Sequence, residues 1–99
     1  MSKYDYASEK FSAAVRTLAV ADLPLRERLT KALETIKRLD ADSDLPEDMH
    51  EDFHRLRESE PDRMSPGQLY QLACDTVDMS TRIDMLYYQS VWEKPTHRK

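Results

Sequence analysis

Residues 65–92 read SPGQLYQLACDTVDMSTRIDMLYYQSVW, and this stretch decides the fold. Ser65, Pro66, Gly67 and Gln68 have the form of a capping box, in which the serine hydroxyl accepts an exposed amide three residues on and the glutamine reaches back. Nothing after Gly67, the chain's one glycine, interrupts the helical pattern up to Trp92. Leu69, Leu72, Met79, Ile83, Leu86 and Tyr87 form one face at three- and four-residue spacings. Tyr70, Cys74, Val77, Tyr88 and Trp92 spread across a second face, and Gln71, Asp75, Asp78, Arg82 and Gln89 leave only a narrow polar strip. A helix apolar over most of its circumference is buried on more than one side. Such a helix is roughly 40 Å long at 1.5 Å per residue, whereas a globule of this size is about 34 Å across. It must protrude, bend or be covered. Either it is the central helix of a bundle, or its second face meets another molecule, with a homodimer as the symmetric solution.

Upstream, three shorter segments carry helical stripes. Tyr4, Ala7, Phe11, Ala14, Val15 and Leu18 mark an amphipathic helix over about residues 3–20. Ala21-Asp22-Leu23-Pro24 follows, with Asp22 expected to cap a second helix over about 23–39 and Pro24 in its first turn, where a missing amide costs nothing. Leu25, Leu29, Ala32, Leu33, Ile36 and Leu39 are the stripe of that helix. Asp40 to Asp44 reads as a polar break. Leu45-Pro46-Glu47-Asp48 then restarts a short helix over about 46–58, with acids in the first turn where the helix dipole favours them. Only Met49, Phe53 and Leu56 face inward there, so this helix should close one side of the bundle. The sequence thus predicts one all-α, four-helix bundle-like domain over residues 1–99, with a long last helix over about 66–92 and a flexible tail at 94–99, since Pro95 prevents much extension.

Composition limits what such a domain can do. The 34% charged content is compatible with a folded chain because the 39% of hydrophobic residues recur in stripes. A net charge of −4 speaks against nucleic acid, whose affinity for protein comes largely from counterions released by clustered Lys and Arg. Charge is also uneven. Arg26, Arg28, Lys31, Lys37 and Arg38 crowd the second segment, while Asp40 to Arg63 holds ten acids against three arginines. Two solvated faces are the ordinary reading of such blocks. The single Cys74 excludes an internal disulfide, residues 1–6 do not resemble a secretion signal, and no apolar run approaches the roughly 20 residues a membrane span requires. A cytoplasmic setting is expected, with neither membrane nor nucleic acid as partner.

One pentapeptide spells a catalytic motif. His50-Glu51-Asp52-Phe53-His54 matches H-E-x-x-H, in which two histidines one helical turn apart hold zinc and the glutamate activates the bound water. A catalytic zinc requires a third protein ligand, however, and Arg57, Glu60 and Arg63 occupy the downstream positions where the extended signature places another histidine. Asp75 or Asp78 would have to approach for zinc to bind. His50 and His54 are therefore metal candidates only for an alternative reading, a zinc-dependent hydrolase, and the preferred reading is two partly exposed histidines on an acidic helix. Cys74 has no basic neighbour in sequence to lower its pKa and reads as a small buried filler. Asp84 falls among Val77, Ser80, Tyr87 and Val91 on the apolar side, so it should be paired, with an arginine the expected partner, or neutral. One glycine leaves nothing for a phosphate cradle.

Lys10-Phe11-Ser12-Ala13-Ala14-Val15-Arg16-Thr17-Leu18-Ala19, Arg26-Glu27-Arg28-Leu29, Leu45-Pro46-Glu47-Asp48 and Arg63-Met64-Ser65 together resemble a family of short, uncharacterised bacterial proteins of similar length. The likeness extends over most of the chain. It implies a cytoplasmic all-α protein with no assigned activity. The chain departs from the family's pattern at Ala21-Asp22-Leu23-Pro24, where glycine-containing connectors are usual, and the histidines of the third segment do not belong to it. The expectation taken into the structure is a non-enzymatic interaction protein without cofactor, self-associating or bound to a protein partner, whose interface comprises Tyr70, Met79, Leu86, Tyr88 and Trp92.

Overall fold

The computed structural model describes the backbone of residues 4–96 and the side chains of residues 4–89. The order is α1 (Asp5–Val20), α2 (Leu25–Ile36), a four-residue α3 (Ala41–Asp44), α4 (His50–Arg57) and α5 (Pro66–Thr96), with single 3-10 turns at Glu47–Met49 and Pro61–Arg63. No strand occurs among the described residues. The chain is an all-α, bundle-like fold.

The stripes read from spacing are the faces that pack. Ala7, Phe11, Ala14 and Leu18 of α1, Leu29, Ala32, Leu33 and Ile36 of α2, and Leu69, Leu72, Met79 and Ile83 of α5 are buried in one continuous cluster. Met49, Phe53 and Leu56 close it from the side, with Phe53 fully buried. α1 lies antiparallel to α5: the Ser8 hydroxyl near its start donates to Asp84 Oδ1 at 2.9 Å, while Val15, Leu18 and Ala19 near its end share a groove with Tyr70, Ala73 and Cys74. The molecule measures 53 × 26 × 20 Å, and its long dimension is that of α5, about 46 Å at 1.5 Å per residue. The last helix is thus continuous and longer than the helices that accompany it.

Several boundaries differ from expectation. Asp22 does not cap α2: the helix starts at Leu25 after Pro24, with no side-chain cap. The α1–α2 connection is held instead by Arg28, whose Nε donates to Leu23 O at 2.8 Å and whose Nη1 donates to Leu18 O at 2.6 Å, satisfying a carbonyl at the end of α1 that has no intrahelical partner. α2 ends at Ile36 rather than near 39. The predicted polar break at 40–44 contains α3, whose Ala41 is buried with the following Leu45. The third predicted helix begins as a 3-10 turn, so its α-helical part is only His50–Arg57. α5 continues to Thr96, past Pro95, which forfeits its backbone bond to the carbonyl four residues earlier. Residues 97–99 of the predicted tail lie outside the described residues.

Candidate functional site

α5 begins as its capping box dictates, with Gln68 N donating to Ser65 Oγ at 3.3 Å and Ser65 N donating to Gln68 Oε1 at 2.9 Å. Arg26 of α2 fixes the turn just before it, through Nε to Pro61 O at 2.9 Å and Nη2 to Met64 O at 2.6 Å. The acidic and basic blocks of the sequence are therefore not simply two solvated faces. Arg26 and Arg28 turn inward onto carbonyls, one to each neighbouring connection.

From this start, α5 turns one face into the core and leaves another side uncovered. Tyr70 is 67% exposed, Val77 41%, Met85 60% and Tyr88 58%. At 100° per residue, Tyr70, Val77, Thr81 and Tyr88 fall within about 40° of one another, with Cys74 and Met85 on one shoulder. This stripe is about 27 Å long. Its N-terminal end opens into an apolar groove of about 450 Å³ between α1, α2 and α5, lined by Val15, Leu18, Ala19, Leu25, Tyr70 and Val77 among others. Cys74 is half-exposed on the same groove rather than a buried filler.

Of the residues expected at an interface, Tyr70 and Tyr88 stand on this outer stripe. Met79 does not: it is only 3% exposed, because its position turns it into the cluster between α4 and α5. Leu86 is half-buried and packs against the core. The Trp92 side chain lies outside the described residues. Met85, absent from the expectation, was identifiable from its place one turn before Tyr88 and Gln89.

Along one edge of the stripe run Asp75, Asp78 and Arg82, which also line a cleft of about 190 Å³ between α4 and α5. Arg82 Nη1 donates to Asp52 Oδ2 at 3.0 Å, and Arg55 pairs with the other oxygen of Asp52. Arg82 first and Arg55 second hold the Asp52 carboxyl below the usual carboxylate range. Asp75 accepts from Gln71 Nε2 at 2.9 Å. Exposed Asp78 makes no hydrogen bond or ion pair among the described residues. Asp84 is paired with Ser8 of α1, not with an arginine, since α1 brings a hydroxyl to that level of α5.

The H-E-x-x-H residues sit elsewhere and are otherwise engaged. His50 Nε2 lies 3.0 Å from Leu45 O, so that nitrogen carries the proton of the bond and only Nδ1 keeps a lone pair. His50 Nδ1 is 3.9 Å from Asp42 Oδ1. Arg57 Nη2 donates to His54 Nδ1 at 3.3 Å and places a positive charge beside it. Asp75 and Asp78 face the cleft with Arg55 and Arg82 rather than either histidine. Among the described residues, no three of His, Cys, Asp and Glu gather as a metal-binding group. His50 instead ties its ring to the Leu45 carbonyl five residues earlier.

No helix among the described residues is long and apolar enough to cross a membrane. In comparisons with protein families, curated proteins and solved structures, nothing matches this chain.

Proposed function

We propose that this chain is a small, non-enzymatic protein-interaction module, and that the partner its last helix takes is a second copy of itself. The observation that carries the reading is the outer stripe of α5, where four large apolar side chains are exposed along one continuous helix whose opposite face is already packed. Scattered apolar residues on a surface need no explanation, but a row aligned along about 27 Å of helix offers a partner helix continuous contact. Tyrosine and methionine suit it, because they supply large contact area with a polar tip or an adaptable stem. The groove between α1, α2 and α5 continues this surface at its Tyr70 end.

Sedimentation velocity across a concentration series tests the reading. The 11.6 kDa chain should move toward twice that mass as concentration rises. Val77→Asp should hold it at monomer mass with its helical circular dichroism intact, because Val77 is exposed and lies outside the core cluster. A wild-type chain that stays monomeric up to about 1 mM, the weak end of specific association, overturns self-association.

A further inference from the structure

The self-association reading leaves open how two copies meet, and the edge of the stripe answers that. A two-fold interface must be self-complementary, since the same patch is presented by both copies. When two helices pack antiparallel, the same edge of each meets along one side of the seam; when they pack parallel, opposite edges meet. The edge of α5 beside the stripe carries Asp78 and Arg82 one helical turn apart, with Asp78 exposed and without a hydrogen bond or ion pair among the described residues, and with the fork of Arg82 engaged with Asp52 at only one nitrogen. Such an edge matches its own reversed copy.

We infer that the occupant of the α5 stripe is the α5 stripe of a second copy running antiparallel, with the two-fold axis beside the Met79–Ser80 peptide. In that register Asp78 of each copy meets Arg82 of the other. Tyr70 comes alongside Tyr88, Val77 alongside Thr81, and Cys74 directly opposite Met85. Small and medium residues thus occupy the centre, where the helix axes approach most closely, and a tyrosine pair closes each end. The helix dipoles also oppose one another in this arrangement. It brings the C-terminal end of each α5 beside the other's N-terminal end.

Cysteine cross-linking tests this geometry separately from association itself. Met85→Cys places a second thiol on an exposed position of α5. Within one chain, residues 74 and 85 are about 16 Å apart along the helix, far beyond the roughly 4.4–6.8 Å between Cα atoms that a disulfide spans. Under mild oxidation Met85→Cys should form a covalent dimer through Cys74 of one copy and the new thiol of the other. Neither the wild type nor the double variant Cys74→Ser, Met85→Cys should do so. Disulfide dimers of the wild type would indicate a parallel seam and overturn the antiparallel proposal. Association in sedimentation with no cross-link in any variant would place the contact on another face and overturn it equally, while leaving self-association standing. A wild type monomeric in sedimentation removes both.

Discussion

Replacing Arg26 with methionine should destabilise the fold far more than its place on a charged helix suggests. The side chain donates Nε to Pro61 O at 2.9 Å and Nη2 to Met64 O at 2.6 Å, tying α2 to the turn that launches α5. A hydrogen bond from a charged donor contributes about 1.5–3 kcal/mol. The site is only partly buried, so water can replace some of what is lost, and the two bonds together are worth about 2–3 kcal/mol. Methionine keeps most of the stem's packing, so the loss reports mainly on the bonds. Urea unfolding followed by circular dichroism is the assay. With a slope of about 1–1.5 kcal/mol per molar for a chain of this size, the midpoint should fall by about 2 M. Arg26→Lys should recover only part of this, because an ammonium cannot hold two separated carbonyls with the geometry of a planar fork. Arg38→Met, on an exposed arginine of the same basic block, is the control and should stay within about 0.5 kcal/mol of wild type. If Arg26→Met also stays within about 0.5 kcal/mol, the two carbonyl contacts are not what positions α5, and the reasoning fails.

Three further outcomes follow from the same geometry. Phe11→Ala, at a fully buried position, should cost about 3–5 kcal/mol; against the roughly 5–15 kcal/mol of a whole domain, calorimetry should show a transition lowered by tens of degrees or lost. Asp52 has its folded pKa depressed by Arg82 and Arg55, so its contribution to stability is present above the ordinary carboxylate value of 3.8 and disappears as pH falls through the lower folded value. Asp52→Asn should therefore be less stable than wild type at neutral pH and converge with it in acid, and a difference that persists or grows below that range contradicts the assignment. Zinc added in equilibrium dialysis should not be retained stoichiometrically, because His50 Nε2 is a donor to Leu45 O and Arg57 stands beside His54; one tightly held zinc per chain, lost in His54→Ala, would refute this.

What was legible in the sequence is what periodicity governs. The core faces of α1, α2 and α5 follow from spacings of three and four, because burial of one helical face requires them, and the capping box at Ser65 marks the start of α5 through the bonds it makes. The segment from Lys37 to Met49 was not legible. Its turns are too short for a stripe, and Ala41 and Leu45 are buried by tertiary packing rather than by a local pattern. Arg26 and Arg28 were read as solvated charge because their acceptors are backbone carbonyls, 35 and 38 residues away for Arg26 and 5 and 10 for Arg28, and carbonyls leave no trace in side-chain sequence. The partner of Asp84 was missed for a related reason: Ser8 is 76 residues away and carries no charge to suggest itself. For the docking surface, the second apolar face of α5 was visible as a pattern, but assigning its members required knowing where the core lies. Met79 falls inside that boundary and Met85 outside it, although both are methionines on one helix.

The most direct test of the account is the response of methionine methyl resonances to protein concentration. Met85 lies on the proposed seam, while Met49 and Met79 are buried in the core of each copy. On raising the concentration of methyl-labelled protein, the Met85 signal should shift or broaden while those of Met49 and Met79 hold their positions, and Val77→Asp should abolish the change. A Met85 signal that stays fixed while association proceeds would show that the second copy sits somewhere other than the outer stripe of α5.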